Sequence, residues 1–275
     1  MAKSSVASMR ASWGCPMQLE GRIVAITGAG SGIGRALALT FAGHGAFPIL
    51  IGRNEGRLRE TAAQLPAGAM ARCCAADITT PHGRQAVLQA CRASGQLDIL
   101  VNNAGLVPSG LLKDLSDADL EQAAATNIVA PIALTRDLLP LLRRSDRAWI
   151  VNVGSMFGDI GHPHFATYCA TKFGLRGFSD AIRRELARDK IGVTYAAPRA
   201  TRTAATDGMA TLVSGYHMKL DDPLVVARGI VKAVEAEART VFPGATERLL
   251  IFIQRFFPAL IDFGLRRQAA AILDR

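Results

Sequence analysis

The chain has 275 residues, 49% of them hydrophobic and 20% charged, a composition that excludes a disordered chain and suits one large α/β domain. Its 32 basic and 23 acidic residues leave a net charge of +9. The basic residues are scattered as singles and short pairs, which argues against a nucleic-acid partner and leaves a solvated basic surface with a few positions to meet an anionic small ligand.

Five cysteines (Cys15, Cys73, Cys74, Cys91, Cys169) form no C-x-x-C pair. Neither a disulfide framework nor a metal site is expected, and a reducing, cytoplasmic setting fits. Residues 1–17 are rich in Ser and Ala, carry two basic residues and no acid, and lack the roughly 7–15-residue apolar core of a signal peptide. A tail without fixed structure is expected over residues 1–20. No uninterrupted run of about 18 apolar residues exists, so no membrane-spanning helix is expected.

From residue 21 the apolar pattern alternates between short β-rich runs and longer helical segments. The runs fall at 22–27, 49–51, 70–75, 99–101, 149–153, 193–196 and 240–242. They are nearly continuous in apolar residues, as strands are when helices cover both faces of a sheet. The expected fold is α/β: a Rossmann-type, doubly wound, seven-stranded parallel sheet with helices on both faces, spanning residues 21–245.

The first run ends in Thr27-Gly28-Ala29-Gly30-Ser31-Gly32-Ile33-Gly34 and a helix follows at once. Glycines let a backbone turn tightly and approach a pyrophosphate, which then sits at the helix N-terminus. The spacing is G-x-x-x-G-x-G, carried by Gly28, Gly32 and Gly34, and Ser31 and Ile33 belong to the same cradle. After the second run, Gly52 stands where a NAD site would place an acid for the ribose, and Arg53 follows it. A guanidinium there suits a 2′-phosphate, so NADP(H) is expected over NAD(H); the alternative is that Arg53 opens a solvated basic helix with Arg57 and Arg59. Asp77, with Ile78, closes the third run, either to accept from an adenine amino group or to cap the next helix.

The fourth run leads into Asn102-Asn103-Ala104-Gly105 and the fifth into Gly154-Ser155. Thirteen residues further on comes Tyr168-Cys169-Ala170-Thr171-Lys172. In a helix over 164–186 Tyr168 and Lys172 are i and i+4, on one face, where an ammonium is expected to lower the phenol's pKa from about 10 toward neutrality. Ser155 is not set in a G-x-S-x-G elbow, so it is not read as a hydrolase nucleophile. His162 and His164 read as loop or helix-start residues, and Cys169 faces away from the ligand.

These motifs, together with Asn127 in a helical stretch over 120–142, come in the order and spacing of the short-chain dehydrogenase/reductase family, which the chain resembles over roughly residues 20–245 in its single-domain, 250-residue branch. The resemblance implies an oxidoreductase that moves a hydride between a nicotinamide dinucleotide and a carbonyl/alcohol pair. It implies Tyr168 as the general acid or base, Ser155 as hydrogen-bond donor to the reacting oxygen, Lys172 on the ribose hydroxyls, and Asn127 binding a water that links Lys172 to solvent. Asn102, Asn103, Ala104 and Gly105 would pack along the cofactor. Where the family commonly has Pro-Gly and then a threonine, this chain has Pro198-Arg199 and then Thr203, so the nicotinamide loop is expected to be reshaped, with Arg199 free to approach cofactor or substrate.

On the substrate side Met156, Phe157, Ile160, Phe165, Met209, Leu212, Val213, Tyr216 and Met218 offer an apolar pocket for a lipophilic ketone or secondary alcohol, or else plain core. Residues 246–275 read as an amphipathic helical extension, kinked at Pro258, with Leu249, Phe252, Ile253, Phe256, Leu260 and Phe263 on one side. It docks on its own or a neighbouring subunit, closes as a lid, or adheres to a membrane surface. The family resemblance implies a homodimer or homotetramer built on the helices at 120–142 and 164–186. Competing readings are an NAD-dependent alcohol dehydrogenase and a cofactor-binding regulator without catalysis.

Overall fold

The computed structural model describes residues 16–273. Seven strands form one parallel sheet in the order β3-β2-β1-β4-β5-β6-β7: β1 (Ile23–Thr27), β2 (Phe47–Gly52), β3 (Arg72–Ala75), β4 (Ile99–Asn102), β5 (Ala148–Val153), β6 (Ile191–Ala196) and β7 (Thr240–Val241). The connecting helices are α1 (Gly32–Gly43), α2 (Glu55–Ala63), α3 (Pro81–Arg92), α4 (Asp117–Ala124), α5 (Ala130–Leu142), α6 (Ala166–Glu185), α7 (Ala204–Asp207), α8 (Ala210–Gly215) and α9 (Pro223–Glu235), followed by α10 (Ala245–Phe256) and α11 (Pro258–Leu273). Strand order reverses between β1 and β4, and at such a switch point the loops part to leave a crevice.

Two apolar layers flank the sheet. On one face Leu37 and Phe41 of α1 and Ile230, Val231 and Val234 of α9 pack on Val24, Ile26, Leu50 and Val151. On the other, Val87 of α3, Leu134 and Leu138 of α5 and Ile182 of α6 pack on Ala25, Ile49, Leu100 and Ile150. Alternate side chains of each strand therefore feed opposite layers, which is why the strands are apolar without interruption.

Several boundaries differ from the sequence reading. Met17 and Leu19 are buried, and the Met17 N–H donates to Glu235 O at 2.9 Å, so the tail expected over 1–20 is anchored in the core at its end; its residues 1–15, with Cys15, lie outside the described residues. The helix expected over 120–142 is interrupted by a π turn at Ala125–Val129. Pro131 has no N–H to return to the Asn127 carbonyl, and Ala130 N bonds Ala125 O instead. The helix expected from 164 starts at Ala166, because His164 takes a left-handed φ of 65°. The C-terminal helix is two helices: Phe257 leaves the helical region (φ −138°, ψ 56°) ahead of Pro258, as the proline ring demands of its predecessor. Among the described residues no helix is long and apolar enough to cross a membrane, and Cys73, Cys74, Cys91 and Cys169 are free thiols.

Candidate active site

A cleft of about 630 Å³ opens at the carboxyl ends of the strands, across the β1/β4 switch point. Its floor is the turn from β1 into α1. Gly28 and Gly32 adopt left-handed φ values of 68° and 52°, which glycine reaches without a Cβ penalty. A Cβ on Gly34 would overlap the carbonyl oxygen of Gly28, so α1 starts hard against the end of β1. Thr27 ties this turn to the next strand: its Oγ1 accepts from Asn103 N (2.9 Å) and Ala104 N (3.0 Å), while Asn103 Nδ2 donates to Thr27 O (2.9 Å). Gly28, Ser31, Gly32, Ile33 and Gly34 all line the cleft. The glycine cradle leaves room for a pyrophosphate where side chains would otherwise fill the space.

Beyond the cradle, Ile78, Asn103, Ala104 and Gly105 form the side wall. Arg53, at the end of β2, and Arg57, on α2, are exposed and line the same cleft. No carboxylate occupies the position after β2: Asn54 caps α2 by accepting from Arg57 N (3.0 Å), and Glu55 is paired with Arg59 (2.6 Å). Asp77 also lines the cleft. Its Oδ1 accepts from Thr79 Oγ1 (2.6 Å) and Thr79 N (2.9 Å), and these bonds hold its carboxyl below the usual range. Asp77 does not cap α3; Thr80 does, accepting from Gly83 N at 3.0 Å.

At the far side β5 leads into Ser155, and α6 brings Tyr168 and Lys172 one turn apart onto the same wall. The Ser155 Oγ accepts from Phe157 N (3.1 Å). Lys172 is buried, its Nζ donates to Val153 O (3.0 Å), and it sits 5.6 Å from the Tyr168 ring centroid. Burial pushes the Tyr168 phenol up to about 12, against a hydrogen bond with Ser155, and pushes Lys172 down to about 8. The phenol is thus raised where the sequence predicts a shift toward neutrality, because loss of water is the largest cause acting on both groups.

Asn127 does not line the cleft. Its Oδ1 accepts from Leu106 N (2.8 Å), and its Nδ2 donates to Leu106 O (2.8 Å) and Thr171 Oγ1 (3.1 Å). It clamps the loop after β4 to α6, with Gly105 lying between it and Lys172. The π turn is what turns this side chain inward.

Pro198 and Thr203 line the cleft, Thr203 lying directly against Gly32. Arg199 lines the cleft as well, where two carboxylates hold it. Its Nε and Nη2 donate to Asp221 (2.8 Å each) and its Nη1 to Glu247 (2.5 Å), tying the loop after β6 to the start of α10. On the substrate side Met156, Phe157, Phe165, Met209, Val213 and Met218 line the cleft, whereas Ile160, Leu212 and Tyr216 stand behind it. His162 joins the lining, stacked on Phe157 at 4.7 Å, and burial holds it toward its neutral form. His164 Nδ1 lies 2.7 Å from the Tyr216 hydroxyl.

Sequence reasoning missed Gln122, Thr126, Val107 and Lys219 in the lining, which no motif marks. It also missed Tyr195. Fully buried on β6, its hydroxyl donates to Ser155 O (3.2 Å), and its ring fills the space that side chains on Gly154 and Gly158 would take. The glycines flanking Ser155 were the available signal.

The model of the short chain dehydrogenase family matches residues 22–211. The chain belongs to this family. Nodulation protein G of Rhizobium sp. (strain N33) is 36% identical over 191 residues, 69% of this chain and 77% of that one. The 3-oxoacyl-acyl-carrier-protein reductase FabG of Escherichia coli is 34% identical over 195 residues, 70% of this chain and 79% of its own. Among solved structures, a 3-ketoacyl-acyl-carrier-protein reductase from Brucella melitensis complexed with NADH superposes with a TM-score of 0.74 at 28% identity, covering 81% of this chain and 95% of that one. A Sphingobium yanoikuyae short-chain dehydrogenase in complex with NADPH gives 0.76 at 27%, covering 88% and 96%. The fold is thus shared with two enzymes whose structures were solved with NADH and with NADPH.

The buried ammonium of this short-chain dehydrogenase has a measurable cost. Lys172 falls to about 8 from an ordinary 10.5. Between these values the unfolded chain holds a proton that the native chain does not, so stability rises with pH across that window. Below about 8 both states hold it and the full cost, roughly 3 kcal/mol, is present. Lys172→Met removes the charge and leaves Val153 O without its donor, a loss of about 1–2 kcal/mol. Urea melts at pH 7 are expected to find the variant more stable by about 1 kcal/mol, with the gain vanishing toward pH 10. A variant markedly less stable at pH 7 contradicts this placement of the ammonium.

Proposed function

We propose that this oxidoreductase is an NADP(H)-dependent carbonyl reductase for a lipophilic ketone, with Tyr168 as proton donor. The observation that carries the reading is the wall on which Tyr168, Ser155 and Lys172 meet at the apolar end of a glycine-cradled cleft. A bound dinucleotide supplies the hydride. The chain's own residues handle the oxygen: the Tyr168 hydroxyl gives up its proton to the carbonyl oxygen as negative charge develops there, and the Ser155 hydroxyl donates a second hydrogen bond to the same atom. Lys172, in reach of the ribose side of the cleft, holds the cofactor's hydroxyls and offsets charge left on the phenolate. Burial keeps the phenol protonated, which is the form that donates to a carbonyl oxygen.

Two observations support the finer choices. Arg53 and Arg57 line the end of the cleft where the adenosine would lie, and Asn54 follows Arg53 in place of an acid. This lining attracts a 2′-phosphate and, with Asp77 just past the neighbouring strand as its carboxylate, lacks the acid after β2 that a ribose 2′-hydroxyl would use. Met156, Phe157, Met209, Val213 and Met218 make the substrate end apolar, suited to an acyl or aryl ketone. A 3-oxoacyl chain, as named for the relatives from Escherichia coli and Vibrio cholerae, is one such substrate. The exposed Val129, Ile132 and Phe173, at 55%, 38% and 45%, give the face around α5 and α6 the apolar surface of a subunit contact; sedimentation at micromolar concentration should show a dimer or tetramer, and an active monomer overturns that assembly.

Tyr168→Phe removes the proton donor at nearly constant volume. Ketone turnover should fall at least about 10²–10⁴-fold while the dinucleotide still binds in calorimetric titration. Turnover near that of the wild type would defeat the mechanism.

Arg53→Ala removes a charge-assisted pair worth on the order of 1.5–3 kcal/mol. NADPH binding should weaken by at least tenfold, roughly 1.4 kcal/mol, with NADH binding nearly unchanged. Tighter binding of NADH than NADPH by the wild type would reverse the assignment.

A further inference from the structure

The two C-terminal helices carry two apolar faces, and the fold uses only one. The inner face, Ile251 of α10 with Ile261 and Leu265 of α11, packs on Met156, Ile160 and Tyr195 and on Phe242. The salt bridge from Glu247 to Arg199 fixes the start of α10 beside it. The stripe expected from the sequence to dock is not this face. Leu249, Phe252, Phe256, Leu260 and Phe263 are 53–66% exposed, and Phe257 is 58% exposed. The segment is no lid either, since the cleft lining ends at Lys219.

We propose that this outer face is a docking surface for an anionic lipid bilayer. On α10, Leu249, Phe252 and Phe256 follow one another at i, i+3 and i+7, with the Phe252 and Phe256 rings 4.7 Å apart. Arg248 and Arg255 run along the shoulder of that stripe, and Arg266 and Arg267 continue the basic edge on α11; all four are exposed. The Arg267 guanidinium lies 5.6 Å from the centroid of the exposed Phe263 ring. Among the described residues of this segment the carboxylates are Glu247 and Asp262, and Glu247 is held by Arg199. Phenylalanines and leucines bordered by arginines match the interface between acyl chains and negatively charged headgroups, where arginine stems lie along apolar surface while their heads reach phosphate.

Charge decides against the other occupant. A twofold pairing of this face with a second copy would bring Arg248, Arg255, Arg266 and Arg267 against themselves with, among the described residues, Asp262 alone to answer them. A separate apolar face at Val129, Ile132 and Phe173 is already open to subunit contact. Among the described residues no helix is long and apolar enough to cross a membrane, so the proposed contact is one with the bilayer surface. Because the inner face rests on Met156, which also lines the cleft, a bilayer held by the outer face lies one helix layer from the substrate end. The proposal does not depend on which dinucleotide binds.

Flotation of the full chain with vesicles tests it, using phosphatidylcholine alone and an equal mixture with phosphatidylglycerol. The wild type should float with the mixed vesicles and roughly tenfold less with phosphatidylcholine alone. Phe252→Ser/Phe256→Ser/Phe263→Ser should lose at least about tenfold in vesicle binding, and Arg248→Gln/Arg255→Gln should lose the preference for the anionic mixture. Both should keep the wild-type sedimentation behaviour and turnover of a water-soluble ketone. Failure of the wild type to float, or triple-variant binding equal to it, overturns the proposal. A change of oligomeric state in either variant also overturns it, by showing that the face is a subunit contact.

Discussion

At the carboxyl end of β1 the Gly28 carbonyl lies so near the first turn of α1 that any side chain at Gly34 would overlap it. That approach sets where α1 begins and leaves the cradle walled by backbone. Thr27 and Asn103 extend the constraint sideways, pinning the end of β4 to the end of β1 through three hydrogen bonds of 2.9–3.0 Å. The two strands on either side of the switch point thus end at one level. The crevice between their loops keeps its width because its rims are bonded to each other and do not depend on what fills it.

The opposite wall is built on dehydration. Lys172 lies under the sheet edge with Val153 O as its hydrogen-bond partner, and Tyr168 faces the same low-dielectric space. Tyr195 supports this wall from below, through Ser155 and through the two glycines that make room for its ring. Asn127 supports it from the side, through Leu106 and Thr171. Neither touches the cleft, yet each holds the backbone of a residue that does. Buried charge is costly, and its retention beside a half-buried phenol fits a site organised for proton transfer rather than for stability.

The parts legible in the sequence are those with local causes. Uninterrupted apolar runs gave all seven strands to within two residues at either end, and glycine spacing gave the cradle. The i, i+4 spacing put Tyr168 and Lys172 on one wall, and Gly52 and Arg53 line the cleft they were expected to line. What escaped depended on partners far along the chain. The π turn at Asn127 follows from Pro131, but its inward rotation has meaning only once Leu106 and Thr171 are in place. The ion pairs of Arg199 could not be read ahead, because Asp221 and Glu247, its two counter-charges, lie 22 and 48 residues away. The C-terminal pattern showed an apolar stripe truly present, but no periodicity says which of two stripes meets the protein; Ile251 and Leu265 dock, while Phe252 and Phe263 remain outside. Burial of Tyr168 and Lys172 together, which reverses the expected shift of the phenol, is likewise a property of the assembled cleft.

In the proposed reaction this cleft brings a nicotinamide dinucleotide and a ketone together for direct hydride transfer beside Tyr168. Single-turnover reduction of a lipophilic ketone with NADPH deuterated at the reactive carbon of its nicotinamide ring tests that most directly, by mass analysis of the alcohol. Deuterium should appear on the carbinol carbon, while the new hydroxyl proton comes from exchangeable positions. An alcohol whose carbinol hydrogen derives from water, or a cleft that consumes no NADPH with any such ketone, would contradict the account.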